Sequence, residues 1–391
     1  MSRLIAALVV TAGVWLPQPP AQAPASTVTA AQLTAAIDTL GSFDFPIRSA
    51  ASRTVRRAEA GLAVPALVKA VRDHADSYVR YRALVLLAGF GDAATAEVMA
   101  EVIADKNDRL RAVAYQWFER HPDPAIVPRL LEALPKEQSE FVRPELMRAI
   151  AAYGGDARAR QAILPLVTSG LDSFRGEAIQ ALGDHQATYA RDAILGVATL
   201  DGPLQEDAIL ALGKLGDPSI VPALADLQQS APKDRQPALA AAGCLAGEDC
   251  ASHRAYLIAS LKFGETNAGF QPLLRGAAHA LSAIAASGKG DRDALNALLD
   301  AGVAASEPSR SSIALGIGRV ALYQPTFLLD VLEARPDVDA ACALVRDAFD
   351  MFEEDFEEEL FYVAIRRAYW AAPAESARRK AAERLIQVLE F

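Results

Sequence analysis

Long runs of β-branched and aromatic residues, the residue types that favour strands, are missing from this sequence. Aromatic residues make up only 7% of it, whereas alanine and leucine dominate. This composition predicts an all-α protein. A chain of 391 residues also exceeds the size at which one hydrophobic core stops growing, so its helices must form several domains or a repeat array.

Clusters of basic residues are also missing. The 39 Lys and Arg residues are scattered along the chain, and the formal net charge is −10. Nucleic-acid binding requires a basic face, and anionic membranes also attract clustered basic residues. The charge pattern therefore argues against nucleic-acid partners and gives no support to membrane binding.

The common catalytic motifs do not occur: there is no H-E-x-x-H, no G-x-G-x-x-G, no P-loop and no G-x-S-x-G. An acidic run that begins at Asp105 resembles the start of a calcium loop, but it lacks the glycine and glutamate that such a loop requires further on. We therefore predict no catalytic residue, no metal site and no cofactor. None of the five histidines is followed by glutamate; they are His74, His121, His185, His253 and His279.

Cysteine is rare, with three residues in the chain. Cys244 and Cys250 flank a short turn and can form a disulfide if the protein is exported to an oxidising compartment. The alternative is that both are small buried residues of an alanine-rich region. Cys342 lies in Ala-Ala-Cys-Ala-Leu and is interpreted as a core residue.

The first 25 residues have the features of a signal peptide. Arg3 is followed by an apolar run from Leu4 to Leu16, which is shorter than the roughly 20 residues that span a bilayer. The small-x-small sequence Ala23-Pro24-Ala25 provides a cleavage site. We predict export to the periplasm or the extracellular medium, with no membrane insertion after cleavage. Retention of the segment as an uncleaved anchor is the alternative.

The stretch from Glu206 to Leu227 is typical of two helices joined by a tight turn. Gly216 can adopt a left-handed conformation after the first helix, Asp217 can cap the second, and Pro218 suits its first turn. Gly213 is expected to loosen the end of the first helix. Neither helix can bury its apolar stripe alone, so the unit requires neighbours.

Copies of the same unit follow one another along the chain. A marker position recurs at intervals of 30 to 32 residues through seven units, then after 39 and 35 residues. The residues three and seven positions after the marker are almost all apolar; the exceptions, both at the seventh position, are Gly243 and Ser282. The markers are Arg48, Arg80, Arg111, Arg143, Arg175, Gln205, Gln236, Arg275 and Arg310.

An acidic residue often precedes the marker, as at Asp44, Asp76, Asp108 and Asp172. Two interpretations are open. In the first, the acids pair with the marker arginines in a ladder that connects each unit to the next. Alternatively, they stabilise the start of their own helix.

The period, the Val-Arg start and the run Leu-Gly-Asp-Pro…Val-Pro-Ala-Leu resemble HEAT repeats, in particular the shorter bacterial type found in phycobilisome lyases. This resemblance implies a right-handed α-solenoid (superhelix) of about nine to ten HEAT-like helix pairs with a divergent C-terminal helical cap. The implied domains are a signal peptide (1–25), a repeat solenoid (26–320), and divergent C-terminal repeats and a cap (321–391).

The C-terminal region contains an acidic helix around Glu353 to Glu359. A solenoid requires a polar-faced cap at its end, and this is the main interpretation of the region. The alternative is a docking site for a basic partner.

The concave face of a solenoid is its usual binding surface. Polar residues two and five positions after the marker should point toward the concave face. In the later units alanines occupy these positions, so that part of the face is expected to lack polar side chains. We name the polar set the concave stripe: Arg82, Gln116, Glu145, Arg148, Glu177, Gln180 and Asp207.

The resulting functional hypothesis is an exported, non-enzymatic scaffold or adaptor that binds a protein or peptide along this stripe. Two alternatives remain: an enzyme of the HEAT-like lyase or hydroxylase kind, and a structural subunit of an envelope complex. The stripe can also be ordinary solvent-facing polarity.

Export has a direct test. N-terminal sequencing of the protein made in its natural host should find Ser26 as the first residue, because cleavage after Ala25 removes the signal segment. An intact Met1 or Ser2 in a soluble cytosolic fraction would contradict the prediction.

Overall fold

The computed structural model describes residues 27–288, 290–352 and 355–391. The predicted signal peptide therefore lies outside the described residues. Within these ranges the chain forms 22 α-helices, six short 3-10 helices and no strand.

The α-helices are α1 Ala30–Thr39, α2 Phe45–Arg57, α3 Ala60–Asp73, α4 Ser77–Phe90, α5 Ala93–Val102, α6 Asp108–Arg120, α7 Val127–Ala133, α8 Arg143–Ala151, α9 Ala157–Ile163, α10 Asp172–Asp184, α11 Arg191–Ala198, α12 Gln205–Lys214, α13 Val221–Ser230, α14 Gln236–Leu245, α15 Cys250–Thr266, α16 Gln271–Ala285, α17 Arg292–Ala304, α18 Ser309–Tyr323, α19 Pro325–Leu332, α20 Val338–Phe349, α21 Asp355–Ala371 and α22 Ala377–Leu389. The 3-10 helices are Pro124–Ile126, Leu164–Val167, Thr188–Ala190, Pro218–Ile220, Lys233–Arg235 and Ala268–Phe270.

The helices from α2 to α19 form nine consecutive pairs in the described part of the chain. The even-numbered helix of each pair, called here the first helix, packs against the first helices of the neighbouring pairs from α4 through α18. This arrangement confirms the predicted helical solenoid of about nine to ten pairs. The sequence-based boundary at residue 320 falls inside α18.

The turn in the stretch from Glu206 to Leu227 has the expected geometry, with one correction. Gly216 has a φ of 65°, and the Asp217 carboxylate accepts a hydrogen bond from the Ser219 amide at 3.0 Å. Gly213, however, does not loosen α12, which continues through it to Lys214. A side chain at Gly213 would collide with the backbone of Ala242, so this glycine allows α12 and α14 to pack closely.

The residues expected in the core are buried. Ala114 and Phe118, three and seven positions after the marker Arg111, are 0% and 2% exposed. Cys342 is fully buried, and burial raises the pKa of its thiol to about 12. This environment fits the interpretation of Cys342 as a core residue rather than a reactive thiol.

The marker side chains cap the preceding second helix. The last carbonyls of a helix have no partner within it, and a donor from the next unit can satisfy them. Most of the markers supply such a donor across the inter-unit loop. The bonds are Arg80 to the Val71 carbonyl (2.6 Å), Arg143 to Leu134 (3.1 Å), Arg175 to Val167 (3.2 Å), Gln205 to Ala198 (3.2 Å) and Arg310 to Gly302 (3.1 Å).

The acids that precede the marker have two roles. Asp44 and Asp76 accept hydrogen bonds from the first-turn amides of their own helices, at 3.1 Å from Ile47 and 2.7 Å from Tyr78. Asp172, by contrast, pairs with the marker Arg175 at 2.7 Å. Helix capping therefore explains the first two acids, and pairing explains the third.

Two other carboxylates complete the arginine ladder. Arg80 pairs with Asp105 at 2.6 Å, and Arg111 pairs with Glu137 at 2.8 Å. Burial alone would raise the pKa of Asp105, but hydrogen bonds from Arg80 and from the Asn107 amide hold it below its usual value. The ion pair of Asp105 with Arg80 thus contributes to the contact between neighbouring units.

No single described helix has both the length and the apolar character needed to cross a membrane. Helices α18 and α19 meet such a test only when taken together, and they are bent by 117° relative to each other.

The two kinds of marker contact predict different losses of stability. Arg111→Ala leaves the Glu137 carboxylate, whose side chain is 3% exposed, without its charge partner, at a cost of about 3–5 kcal/mol. Arg143→Ala removes donors from the carbonyls of Leu134 and Glu137 and should cost about 1–3 kcal/mol. Urea unfolding measures both values.

The double variant Arg111→Met/Glu137→Gln serves as a control, because it removes both charges together and should recover most of the loss. Equal stability of the parent and Arg111→Ala would show that the pair does not hold the units together.

Candidate partner-binding channel

The first helices of the two halves of the chain face one another across a narrow channel. Arg148 on α8 donates to the hydroxyl of Tyr323 on α18 at 3.3 Å, although 175 positions separate them. Glu206 on α12 lies 3.7 Å from His279 on α16. The concave face of the solenoid therefore has two walls, and it is not an open groove.

Helix α21 forms one wall of this channel at the N-terminal units. Its Asp355 pairs with Arg82 and accepts a hydrogen bond from the Tyr81 hydroxyl at 2.6 Å. Its Glu359 accepts hydrogen bonds from Arg56 at 2.8 and 2.6 Å, with side chains that are 2% and 8% exposed. Asp355, Glu357 and Glu359 of this helix thus pair with arginines of the same chain, Glu357 with Arg120 at 3.8 Å.

The packing of α21 makes it an integral part of the fold. Phe356, Phe361 and Ile365 are 1%, 0% and 0% exposed, and burial of each such side chain contributes about 1.5–3 kcal/mol. On α4, Gly89 lies where a side chain would meet Glu359, so a glycine there permits the close approach. The residue range Glu353 to Glu359, considered above as a docking site for a basic partner, is in its described part turned toward the protein's own first units.

The seven residues of the concave stripe are distributed between two environments. Arg82 and Gln116 face α21; the Gln116 amide lies 3.4 Å from Glu357. The other members lie near a cavity of about 500 Å³, which we call the central chamber. Its walls include four of them: Glu145, Arg148, Glu177 and Gln180. Asp207 stands beside this group and accepts a hydrogen bond from Gln180 at 3.2 Å. That these residues bind a partner stays a prediction.

A network of charges fixes Arg148 at the lower end of the chamber. Arg148 contacts Glu119 at 3.1 Å and Asp184 at 3.0 Å, and Lys214 contacts Asp184 at 2.7 Å. Burial opposes ionisation of Asp184, yet Lys214 and Arg148 hold its pKa well below the usual range. Arg148 is thus a positioned part of the wall, with its charge already satisfied.

The opposite wall of the chamber comes from α16 and α18, which the sequence pattern did not reveal. It includes Arg275, His279, Ser282, Ser312 and Arg319. The alanines of α16 from which we expected a face without polar side chains, Ala277 and Ala280, are in fact buried. One signal was available: Ser282 is a polar residue in an otherwise apolar column, and it lines the chamber.

The chamber adjoins two other cavities. One, of about 1140 Å³, is called here the aromatic mouth and shares Glu145 and Phe352 with the chamber. The other, of about 810 Å³, is called the lower pocket and shares Arg148, Arg319 and Tyr323 with it. The three adjoining cavities are together called the passage.

The aromatic mouth was also missed by the search for polar columns. Its rings come from the starts of several first helices and from α20 and α21. Arg109 lies over the rings of Tyr78 and Tyr81 at 5.6 and 5.5 Å, a cation–π arrangement. Aromatic residues just before the marker, as at Phe45, Tyr78 and Phe141, were the signal.

Two charged groups of opposite sign face the chamber without a partner. Among the described residues, Glu177 and Arg275 have no hydrogen bond or ion pair through their side chains. Burial raises the pKa of Glu177, and the charge of nearby Asp207 adds to this effect, while Arg148 opposes it. Burial likewise raises the pKa of Asp207. The charges of Arg148 and Arg319 favour ionisation of Glu177 through space, without a hydrogen bond or ion pair to it.

The structure contains a disulfide between Cys244 and Cys250, with Cα atoms 4.3 Å apart. Both cysteines line the lower pocket. No group of three or more histidine, cysteine, aspartate or glutamate side chains suited to a metal occurs in the described ranges.

Residues 101–183 match the family model of HEAT repeats, which confirms the predicted HEAT-like repeats. No curated protein matches the sequence.

Three solved structures are similar to this chain at low identity. The complex of CpcE and CpcF of phycocyanin lyase from Nostoc sp. PCC7120 has a TM-score of 0.40 at 19% identity and covers 66% of this chain and 95% of its own. A structure from work on the interaction between cadherin and beta-catenin has a TM-score of 0.29 at 12% identity, with 93% and 95% covered. Importin beta has a TM-score of 0.37 at 12% identity, with 92% and 59% covered.

The unpartnered carboxylate of Glu177 should reduce stability at neutral pH. Because the folded-state pKa is raised above the ordinary value of 4.5, stability is lost as the pH rises through this range. Glu177→Gln removes the desolvated charge, so the Tm of this variant should exceed that of the parent at about pH 7. The difference in Tm should disappear near pH 4.

Thermal unfolding across this pH range measures the effect. The matched control is Asp226→Asn, which replaces an exposed carboxylate on α13. Its Tm should equal that of the parent. A lower Tm for Glu177→Gln at neutral pH would mean that the carboxylate has a stabilising partner.

Proposed function

We propose that this protein is an exported, non-enzymatic scaffold that binds a segment of a protein partner in its concave channel. The observation that carries the proposal is the passage, in which the aromatic mouth, the central chamber and the lower pocket adjoin one another and share wall residues. Helical repeats commonly use their concave surface for binding.

The dimensions of the passage favour a chain segment over a small substrate. The central chamber alone, at about 500 Å³, is within the range of roughly 300–1,000 Å³ that small ligands occupy. It adjoins two other cavities, however, and each of them is larger. An extended segment can occupy all three cavities at once, whereas a small molecule would leave most of the passage unfilled.

Many charged side chains of the channel are engaged with one another. The networks around Arg148 and around Asp355 consist of ion pairs. Four of the five histidines lie near a carboxylate, with the closest atoms between 2.9 and 3.7 Å apart. Such pairs hold the wall side chains in place, which suits recognition of a partner.

Export is supported by two observations of different kinds. The N-terminal sequence has the features of a signal peptide, and Cys244 and Cys250 form a disulfide, which persists in oxidising compartments.

The test is the capture of a partner followed by measurement of its affinity. The mature chain is used as bait in an envelope extract, the captured protein is identified and purified, and its Kd is determined by calorimetry. Glu145→Lys/Glu177→Lys should abolish this binding, because it reverses two charges on one wall of the chamber while the apolar core remains intact.

The exposed-site variant Asp226→Lys is the matched control for a charge reversal and should bind like the parent. Circular dichroism and Tm establish that both variants are folded. A folded double variant that retains the parental Kd would place the binding site outside the channel.

A further inference from the structure

We propose that the central chamber receives a lysine or arginine side chain of the bound segment, with Glu177 as its direct acceptor. The inference rests on the proposed function, because it names the chemistry by which the channel would recognise its partner.

The first argument is the state of Glu177. Its carboxylate lines the chamber and has no hydrogen bond or ion pair among the described residues. The cations on the same side are already engaged: Arg148 contacts Glu119, Asp184 and Tyr323. A half-buried carboxylate without a partner costs stability, and a ligand ammonium or guanidinium would supply the missing charge.

The second argument is the surroundings of Glu177. Asp207 lies close enough to raise the pKa of Glu177. One carboxylate oxygen of Asp207 accepts a hydrogen bond from the Gln180 amide at 3.2 Å. Glu145 belongs to the same wall, at the boundary with the aromatic mouth. A cationic side chain that enters from the mouth therefore meets carboxylates in sequence.

The third argument concerns the hydrogen-bonding groups opposite. Arg275 lines the chamber, and its side chain has no hydrogen bond or ion pair among the described residues. It can donate to backbone carbonyls of an extended segment. The wall opposite Glu177 thus offers a donor to the same ligand.

The occupant is a polypeptide rather than a free polyamine. A small amine would satisfy Glu177 but leave Arg275 and the aromatic mouth without contacts. A segment that threads the passage can place a cationic side chain at Glu177 while its backbone reaches the opposite wall.

The experiment is a selection of random dodecapeptides displayed on phage against the immobilised protein, followed by anisotropy titration of the enriched sequences. The expected result is enrichment of lysine or arginine at one position of the consensus. Glu177→Gln should weaken the best peptide by about 10-fold to 100-fold, whereas Asp226→Asn should leave its affinity unchanged.

A double-mutant cycle locates the contact. Replacing the consensus lysine of the peptide by methionine should cost as much as Glu177→Gln, and combining both changes should cost little more than either alone. Because Glu177→Gln is expected to stabilise the free protein, a loss of binding cannot be attributed to unfolding.

The outcomes separate this inference from the proposed function. A consensus without a basic residue, or one that binds Glu177→Gln with parental affinity, overturns the inference and leaves a peptide-binding channel in place. Spermidine that binds as tightly as the peptide and competes with it also overturns the inference, because the site would then serve a small amine. Enrichment of no peptide overturns both proposals.

Discussion

The burial of α21 against the first units is the interaction on which the rest of the structure depends. Without it the channel would lack one of its walls at the N-terminal units. The ion pair between Arg56 and Glu359 is almost fully desolvated, and such pairs contribute little net stability while strongly disfavouring misaligned alternatives. The apolar residues Phe356, Phe361 and Ile365 supply the stability, and the charged pairs set the register of α21 on α2 and α4.

The repeat architecture was predictable from the sequence because each unit carries its own local signals. The turn at Gly216 and Asp217, and the buried positions of Ala114 and Phe118, follow from helix capping and apolar periodicity. The partners of the marker arginines were less predictable. Asp105 and Glu137 lie in the loops after second helices, so their pairing with Arg80 and Arg111 depends on how successive units stack.

The channel could be predicted only in part. Glu145, Arg148, Glu177 and Gln180 were identified because they share two columns of the repeat. The facing residues on α16 and α18 could not be found in this way, since their position depends on the curvature of the whole superhelix. No single unit specifies that curvature; close contacts such as those of Gly183 with Ala211 and of Gly213 with Ala242 set it step by step.

The contacts that close the channel join residues very far apart in the sequence. Arg56 and Glu359 are 303 positions apart, and the hydrogen bond from Arg53 to the carbonyl of Glu390 spans 337 positions. Helix pairs form from local contacts and can assemble in order from the N-terminus. The distant contacts carry a large loop-closure entropy cost, so they become favourable only after most pairs have formed. Folding should therefore have two phases, a fast growth of the repeat array and a slower closure by α21, so the channel is the last part of the molecule to acquire its shape.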